Sequence, residues 1–379
     1  MALVLTEEQE LLKETASEFL NDKSPVTHLR ELRDNDDADG FSRSLWKEMA
    51  ELGWTGIIFP EEYGGAEMGY AELGVLFEEC GRRLSPYPLL STVVLGGGAL
   101  MAGGTDEQRN KIVPGVCRGE TLLAMAFQET GRFNPYHAET SAAATGSGYT
   151  INGEKTFVLD GHVADHIIVA ARTSGETSDR DGLTLFLVPA DQAGVTILRT
   201  KMVDSRNAAQ ITFENVSVEA DQVVGTVDAG ADVLDQVFDR ATAVLSSELV
   251  GISSEIFERT LAYLKTREQF GVLIGTFQGL KHRAADMFCE VELSKSVALE
   301  ALRAIDEGSS DATRIVSAAK ARTSDTAGQV TREGVQMHGG IGMTDEEEMG
   351  LFLKRAKAAE LSFGDSSYHR DRFATLMGF

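Results

Sequence analysis

Apolar residues recur along this chain at two different spacings, and the spacing changes twice. From residue 6 to about residue 118 the period is helical. Leu11, Leu12, Ala16, Phe19 and Leu20 fall on one helical face. Thr6, with Gln9 three residues on, has the form of a capping box, and Pro25 lies beyond this first helix. Leu45, Met49 and Leu52 carry a second stripe that stops near Gly53. The run Phe59-Pro60-Glu61-Glu62-Tyr63-Gly64-Gly65-Ala66 then breaks the pattern with turn-forming residues. Further helices are expected over about Glu72–Cys80 and Leu89–Met101, the latter so largely apolar that burial is expected.

Between residues 120 and about 228 the period shortens to two. Tyr149 to Val158 reads as a hairpin turning at Asn152-Gly153. Asp165 to Ala171 and Leu183 to Val188 read as strands, the second ended by Pro189, and Ala209 to Phe213 alternates as a half-buried strand does. From about Ala229 the helical period returns, with long helices predicted over Ala241–Lys265, Phe277–Ile305, Ala312–Met337 and Glu346–Leu361. Breaks near Gly275, Gly308 and Gly339 separate them, and four long amphipathic helices on short loops suggest a bundle. The expected fold is α+β and multidomain. An N-terminal helical domain (1–118) precedes a central β-barrel or β-sandwich domain (119–228) and a C-terminal four-helix bundle (229–379).

Composition narrows the classes. With 379 residues, 42% of them hydrophobic, the chain can bury a large core. No run approaches the ~18 apolar residues of a membrane helix, and the first residues lack the basic and apolar regions of a signal peptide. A cytoplasmic protein is therefore expected. A net charge of −24 disfavours nucleic acid and anionic membranes as partners. Cys80, Cys117 and Cys289 form neither a metal pattern nor a disulfide framework, so buried, reduced thiols and no metal are expected.

Three motifs bring candidate chemistry. They are Arg267-Glu268-Gln269-Phe270-Gly271 followed by Ile274-Gly275-Thr276-Phe277-Gln278, then Gln336-Met337-His338-Gly339-Gly340-Ile341-Gly342, and Ile151-Asn152-Gly153-Glu154-Lys155. In this order, and over essentially the whole chain, they resemble the acyl-CoA dehydrogenase family. The resemblance implies FAD bound between subunits of a homodimer or homotetramer, an acyl-CoA substrate, and an electron-transfer flavoprotein as electron acceptor. Arg267 offers a planar donor fork for a pyrophosphate, or else a surface ion pair. Phe270 would pack against the cofactor, or in the core. Gln278 and Gln336 offer amides, and Gly339 and Gly340 permit close backbone approach or a helix cap. His338 is expected to pack or to orient its loop.

On the flavin side the resemblance places Phe127, Gln128 and Thr130 at the family's strand and turn. There the usual Pro-Gly-x-Gly-Ser run is replaced by Thr130-Gly131-Arg132-Phe133-Asn134. Phe157 stands where the family usually has Trp, and an aromatic ring beside the flavin is kept. Leu159 stands where Ser or Thr is frequent.

The family's chemistry removes a proton α to the thioester, which requires a carboxylate within reach. Counted from Gly340, the usual glutamate position is Phe363, just before Gly364. The alternative position on the first helix of the C-terminal domain is Ala241. Two carboxylates remain as candidate bases. Glu248 lies seven residues past Ala241 on the same helix face, about 10.5 Å along, and is either a base or a structural carboxylate. Asp365 is either a base or a cap of the helix that follows. The ending Phe363-Gly364-Asp365-Ser366-Ser367-Tyr368-His369-Arg370 resembles that of bacterial dehydrogenases of steroid side chains and related acyl-CoA substrates, several of which are heteromers. Three functions are therefore expected in order. The first is an acyl-CoA dehydrogenase. The second is a base-less subunit of a heterotetramer with a second family member. The third is a flavin oxidase or monooxygenase on the same fold.

Overall fold

The structure is a computed structural model and describes residues 4–379. Eleven α-helices and ten strands follow one another in the order helical, sheet, helical. The first helices are α1 (Glu7–Lys23), α2 (Val26–Asp34), α3 (Arg43–Glu51), α4 (Tyr70–Arg83), α5 (Gly98–Gly103) and α6 (Asp106–Cys117). The strands β1 (Leu123–Ala126), β2 (Ser141–Ala144), β3 (Gly148–Leu159), β4 (His166–Arg172), β5 (Leu183–Pro189), β6 (Val195–Lys201), β7 (Asn207–Glu219) and β8 (Val223–Val224) come next. The long helix α7 (Gly230–Thr266) leads to a short hairpin of β9 (Glu268–Gln269) and β10 (Val272–Leu273). After it come α8 (Gln278–Asp306), α9 (Ala312–His338), α10 (Met349–Leu361) and α11 (Ser366–Leu376).

The chain forms two compact units. One comprises residues 32–68 and 86–241, the other residues 1–31, 69–85 and 242–379. The first is built on a single eight-stranded sheet in the order β6-β7-β3-β2-β4-β5-β8, with β1 parallel to β4. The residues of β4 after His166, and those of β5 before Pro189, are buried without interruption, as strands covered on both faces are. The edge strand β6 alternates between half-buried and exposed positions. Ile151, Val158, Ile167, Val169, Phe186, Val188, Ile211 and Phe213 fill the core of this sheet.

Two expectations fail here for local reasons. Asn152-Gly153 does not turn a hairpin, because β3 runs straight through it. The pair sits at a bulge, where the register against β7 shifts between Ile151 and Gly153. Gly153 has φ +146°, and a Cβ there would stand 2.5 Å from Thr140, so glycine serves close approach rather than a turn. The apolar run from Leu89 is buried as expected, but it forms a nine-residue π-helix, Leu89–Gly97, before α5 begins. Its last glycines let it press onto neighbours: a Cβ on Gly96 would meet Leu123 at 2.3 Å, and one on Gly97 the ring of Phe59 at 2.4 Å.

The second unit is helical. The predicted capping box of α1 forms, with Gln9 N–H donating to Thr6 and Thr6 N–H to the Gln9 side chain. Asp306 accepts from the first amides of α4, Tyr70 at 2.7 Å and Ala71 at 2.9 Å. Helices α4 and α7 touch backbone to backbone. A Cβ on Gly251 would lie 1.9 Å from the Glu78 carbonyl oxygen, and one on Gly81 would lie 2.3 Å from that of Glu248. Around this contact Arg82, Arg83 and Arg259 converge on the buried Glu255 at 3.0, 2.8 and 2.8 Å. Cys80 and Cys117 are buried, but Cys289 is exposed on α8, contrary to expectation. No described helix is long and apolar enough to cross a membrane.

The crossing at Gly251 gives a direct test. Gly251→Ala forces a methyl group into backbone and should cost about 3 kcal/mol. Gly350→Ala, where the added methyl meets nothing within 4 Å, should be neutral or slightly stabilising. Thermal melts of both variants check this, and equal melting temperatures would contradict the close crossing.

Candidate functional site

The predicted flavin-side residues lie together in the sheet unit. As the chain leaves β1 it runs Phe127-Gln128-Glu129-Thr130, alongside the second half of β3. Thr156 N–H donates to the Gln128 carbonyl at 2.8 Å. The Gln128 amide donates to the Thr130 carbonyl at 2.9 Å and so shapes the turn. Lys155, fully buried, donates to Glu129 at 2.6 Å and to the Phe127 carbonyl at 3.3 Å. The Glu129 carboxylate also accepts Glu139 N–H at 2.6 Å and Thr140 N–H at 3.0 Å. Burial pushes the Lys155 ammonium down to about 8 despite Glu129. Burial opposes the Glu129 charge too, but Lys155 outweighs it and holds that carboxyl below its usual range. One buried pair thus pins a turn of the chain from both ends.

Phe157 is held at an extra residue in β3, where the register shifts between Lys155 and Val158. Its backbone is left-handed, φ +51°, which is costly for an aromatic residue. Its ring is 43% exposed, while Leu159 is half-buried. Phe133, from the turn that replaces the family's glycine-rich run, packs edge-on against Phe127 and Phe238, with ring centroids 6.1 and 5.4 Å away.

The residues expected on the dinucleotide side lie in the helical unit. Phe270 and Gly271 turn the β9–β10 hairpin with φ +55° and +78°, two successive left-handed residues. The Phe270 ring is 92% exposed and touches Phe277 edge-on at 6.2 Å, so it is not part of the core. Arg267 is exposed and has no ion-pair partner among the described residues, although the protein is strongly acidic. Gln278, Gln336, Gly339 and Gly340 are exposed, and a Cβ on either glycine meets nothing within 4 Å. Only Gly339, at φ +65°, needs glycine for its own backbone. His338 stacks on Tyr263 at 4.3 Å and shares a 2.7 Å hydrogen bond with the Gly334 carbonyl. An exposed aromatic face, a free guanidinium and open amides suit an adenine and a pyrophosphate. An exposed aromatic ring on a strained bulge suits a flavin. The residues present therefore fit FAD.

The candidate bases take structural positions. Glu248 is fully buried on α7 and its Oε1 stands 3.3 Å from Nη1 of Arg355, itself buried on α10. Arg355 also reaches the Ser85 carbonyl at 3.5 Å. Asp365 is the N-cap of α11 and accepts Tyr368 N–H at 2.9 Å. Phe363 is buried with φ +58°, and its carbonyl accepts from Nε2 of His369 at 3.0 Å. Ala241 is fully buried on α7. Burial, with the Lys320 ammonium next, pushes His369 down to about 3. Sequence reasoning passed over Arg355, Lys320 and His369. A lone charged residue in a run such as Ala318-Ala319-Lys320-Ala321 ordinarily reads as a solvated helix face.

Residues 6–120, 124–216 and 228–377 match, in order, the N-terminal, middle and C-terminal domain models of acyl-CoA dehydrogenase. The chain belongs to the acyl-CoA dehydrogenase family. It is 30% identical to a probable acyl-CoA dehydrogenase, YngJ, of Bacillus subtilis, over 98% of both chains. Among solved structures it is similar to a variant of the Tcur3481–Tcur3483 steroid ACAD, with 30% identity, a TM-score of 0.87 and 98% coverage of both chains. It is also similar to the ChsE4–ChsE5 complex of Mycobacterium tuberculosis, with 26% identity, a TM-score of 0.89, and coverage of 100% of this chain and 99% of that one.

Two measurements follow from the buried charges. Lys155→Met leaves Glu129 buried without its cation and should cost about 3 kcal/mol or more in urea unfolding; an unchanged midpoint would show that the pair does not hold the turn. His369 is neutral in the fold and protonates near pH 6.5 when unfolded. Its contribution is therefore present above pH 6.5 and lost as pH falls toward 3, by about 2 kcal/mol at pH 5. The wild type should lose that much more stability than His369→Gln between pH 7 and pH 5, and parallel curves would remove the histidine from the acid response.

Proposed function

We propose that this chain binds FAD and carries out α,β-dehydrogenation of an acyl-CoA thioester to the 2-enoyl-CoA, with an electron-transfer flavoprotein as acceptor. What supports the reading is the match of all three acyl-CoA dehydrogenase domain models along the chain, together with a residue set within each unit suited to one part of a flavin dinucleotide. Phe127, Gln128, Thr130, Phe157 and Leu159 would hold its isoalloxazine end, on the turn fixed by Lys155 and Glu129. Arg267, Phe270, Gln278, Gln336, Gly339 and Gly340 would hold its dinucleotide end. FAD, when bound, supplies the acceptor for the substrate's β-hydride. The chain's own task is to orient the thioester, exclude water and place a proton acceptor at the α-carbon. We take the chain to be a cytoplasmic oligomer with three domains, 1–118, 119–228 and 229–379; the three successive domain matches support the division, and the ChsE4–ChsE5 neighbour supports an assembly.

The proton acceptor divides two readings. If the chain is self-sufficient, Glu248 or, failing it, Asp365 must serve. Against both stand the burial of Glu248 against Arg355 and the capping bond of Asp365. Phe363 accepts no proton, nor does Ala241. These observations favour a second reading, in which a second family member supplies the base within a heterotetramer. The neighbour described as the ChsE4–ChsE5 complex is itself an assembly of two differently named chains.

The purified chain is expected to be yellow, with FAD released on acid treatment. Straight, branched and steroid acyl-CoAs are added in turn without oxygen. Bleaching by one of them, lost in a folded Glu248→Gln variant, establishes a self-sufficient dehydrogenase. A yellow chain that bleaches only after co-expression with a second family member establishes the heteromer. A colourless chain sinks the assignment, and reduced flavin that oxygen re-oxidises rapidly points to an oxidase or monooxygenase instead.

A further inference from the structure

Lys320 stands within α9 with its side chain fully buried. Its Nζ donates to the carbonyl oxygens of Glu360 at 2.8 Å, Ser362 at 3.0 Å and Gly364 at 2.9 Å. An ammonium has three N–H donors and no acceptor, so these three carbonyls use it completely. A neutral amine would turn a lone pair toward one of them. The carbonyls belong to the C-terminal end of α10 and the turn that follows, where the helix dipole also favours a cation.

The turn needs such a tie. Phe363 and Gly364 are left-handed in succession, φ +58° and +100°, and no sheet or helix ladder holds them. His369 holds one that Lys320 does not, that of Phe363, at 3.0 Å. From residue 360 to residue 364, four of five carbonyls are thus fixed by two buried side chains. Glu360, Asp365 and Arg372 are the other charged groups around this pair. Arg372 also approaches Ser317 of α9 at 3.5 Å, and Arg370 pairs with Asp325 of the same helix.

We infer that Lys320 is a positioning residue, whose bonds to three carbonyls of the 360–364 turn set where the side chain at position 363 stands. The inference rests on the reading of position 363 as the family's usual base position. On that reading the turn keeps the frame for a base although its residue is phenylalanine.

The test uses the full chain as purified with its flavin. Hydrogen exchange read by mass spectrometry should show peptides spanning 359–369 exchanging at least tenfold faster in Lys320→Met, with peptides of α8 unchanged. Lys320→Gln, which keeps two N–H donors, should fall between, and it stands in if the methionine variant does not fold. Phe363→Glu supplies a second readout. It should gain anaerobic bleaching by acyl-CoA, and adding Lys320→Met should cut that reduction rate at least tenfold while leaving the acyl-CoA dissociation constant within twofold. Unchanged exchange over 359–369, or acceleration spread equally through α8 and α9, removes the role of Lys320 whatever the flavin does. Local loosening together with a Phe363→Glu chain that no acyl-CoA bleaches removes the reading of position 363 instead.

Discussion

Charge that cannot reach water must be answered by the chain itself, and this constraint fixes the loops of the protein. Among the described residues four cations are buried: Lys155, Arg172, Lys320 and Arg355. An isolated charge in such surroundings costs far more than the fold's net stability, so each must be met by carboxylate or carbonyl oxygens. Lys155 takes Glu129 and the Phe127 carbonyl. Arg172 takes the carbonyls of Tyr136, Thr177 and Asp181. Lys320 takes three carbonyls of one turn, and Arg355 takes Glu248 with the Ser85 carbonyl. Apart from Glu248 on α7 and Glu360 near the end of α10, these acceptors lie in segments with little regular structure to hold them. The cations therefore act as ties on the irregular backbone, while the apolar core fixes the helices and strands.

The ties explain why departures from the family's pattern leave its frame standing. Thr130-Gly131-Arg132-Phe133-Asn134 replaces a glycine-rich run, yet the turn before it is pinned by Lys155 and Glu129 and by the Gln128 amide. Phe363 is an apolar residue with a left-handed backbone, yet its turn is held by Lys320 and His369. What changes at these positions is the chemistry of a side chain on a scaffold that other residues determine. Glu248 shows the converse. Its carboxylate has the right type and the right helix, but it is spent on Arg355, and a charge so paired is hard to free for proton transfer.

The order of helices and strands was legible because it is written in periodicity. The capping box at Thr6, the strands at β4 and β5 and the long helices after residue 240 all follow from spacing. Asn152-Gly153 misled because its glycine is required by close approach to Thr140, a contact between residues that spacing does not relate. The real two-residue turn, Phe270-Gly271, is a hairpin too short to show strand periodicity. The π-helix at Leu89 is buried throughout, Ser91 and Thr92 included, so its period is invisible in the pattern of burial. The residues expected to face a cofactor are singled out only by motifs, and Lys320, Arg355 and His369 were not legible at all. Their roles depend on which backbone carbonyls surround them, and no side-chain pattern records a carbonyl.

This asymmetry bears on how function is read from such a chain. A phenylalanine where the resemblance would put a glutamate is visible in the sequence, and taken alone it suggests a site that does no proton transfer. A frame of buried donors around that position is visible only in three dimensions. Were the turn at 360–364 free to vary, nothing would favour a fully buried lysine there, since burial pushes its ammonium down to about 7 even against the pull of Glu360 and Asp365, and an apolar residue of similar length would avoid that cost. Three well-placed carbonyls make the ammonium tenable, and the ammonium in turn makes the strained pair Phe363-Gly364 tenable. The two features support each other, so the turn is a built part of the structure whatever side chain it presents.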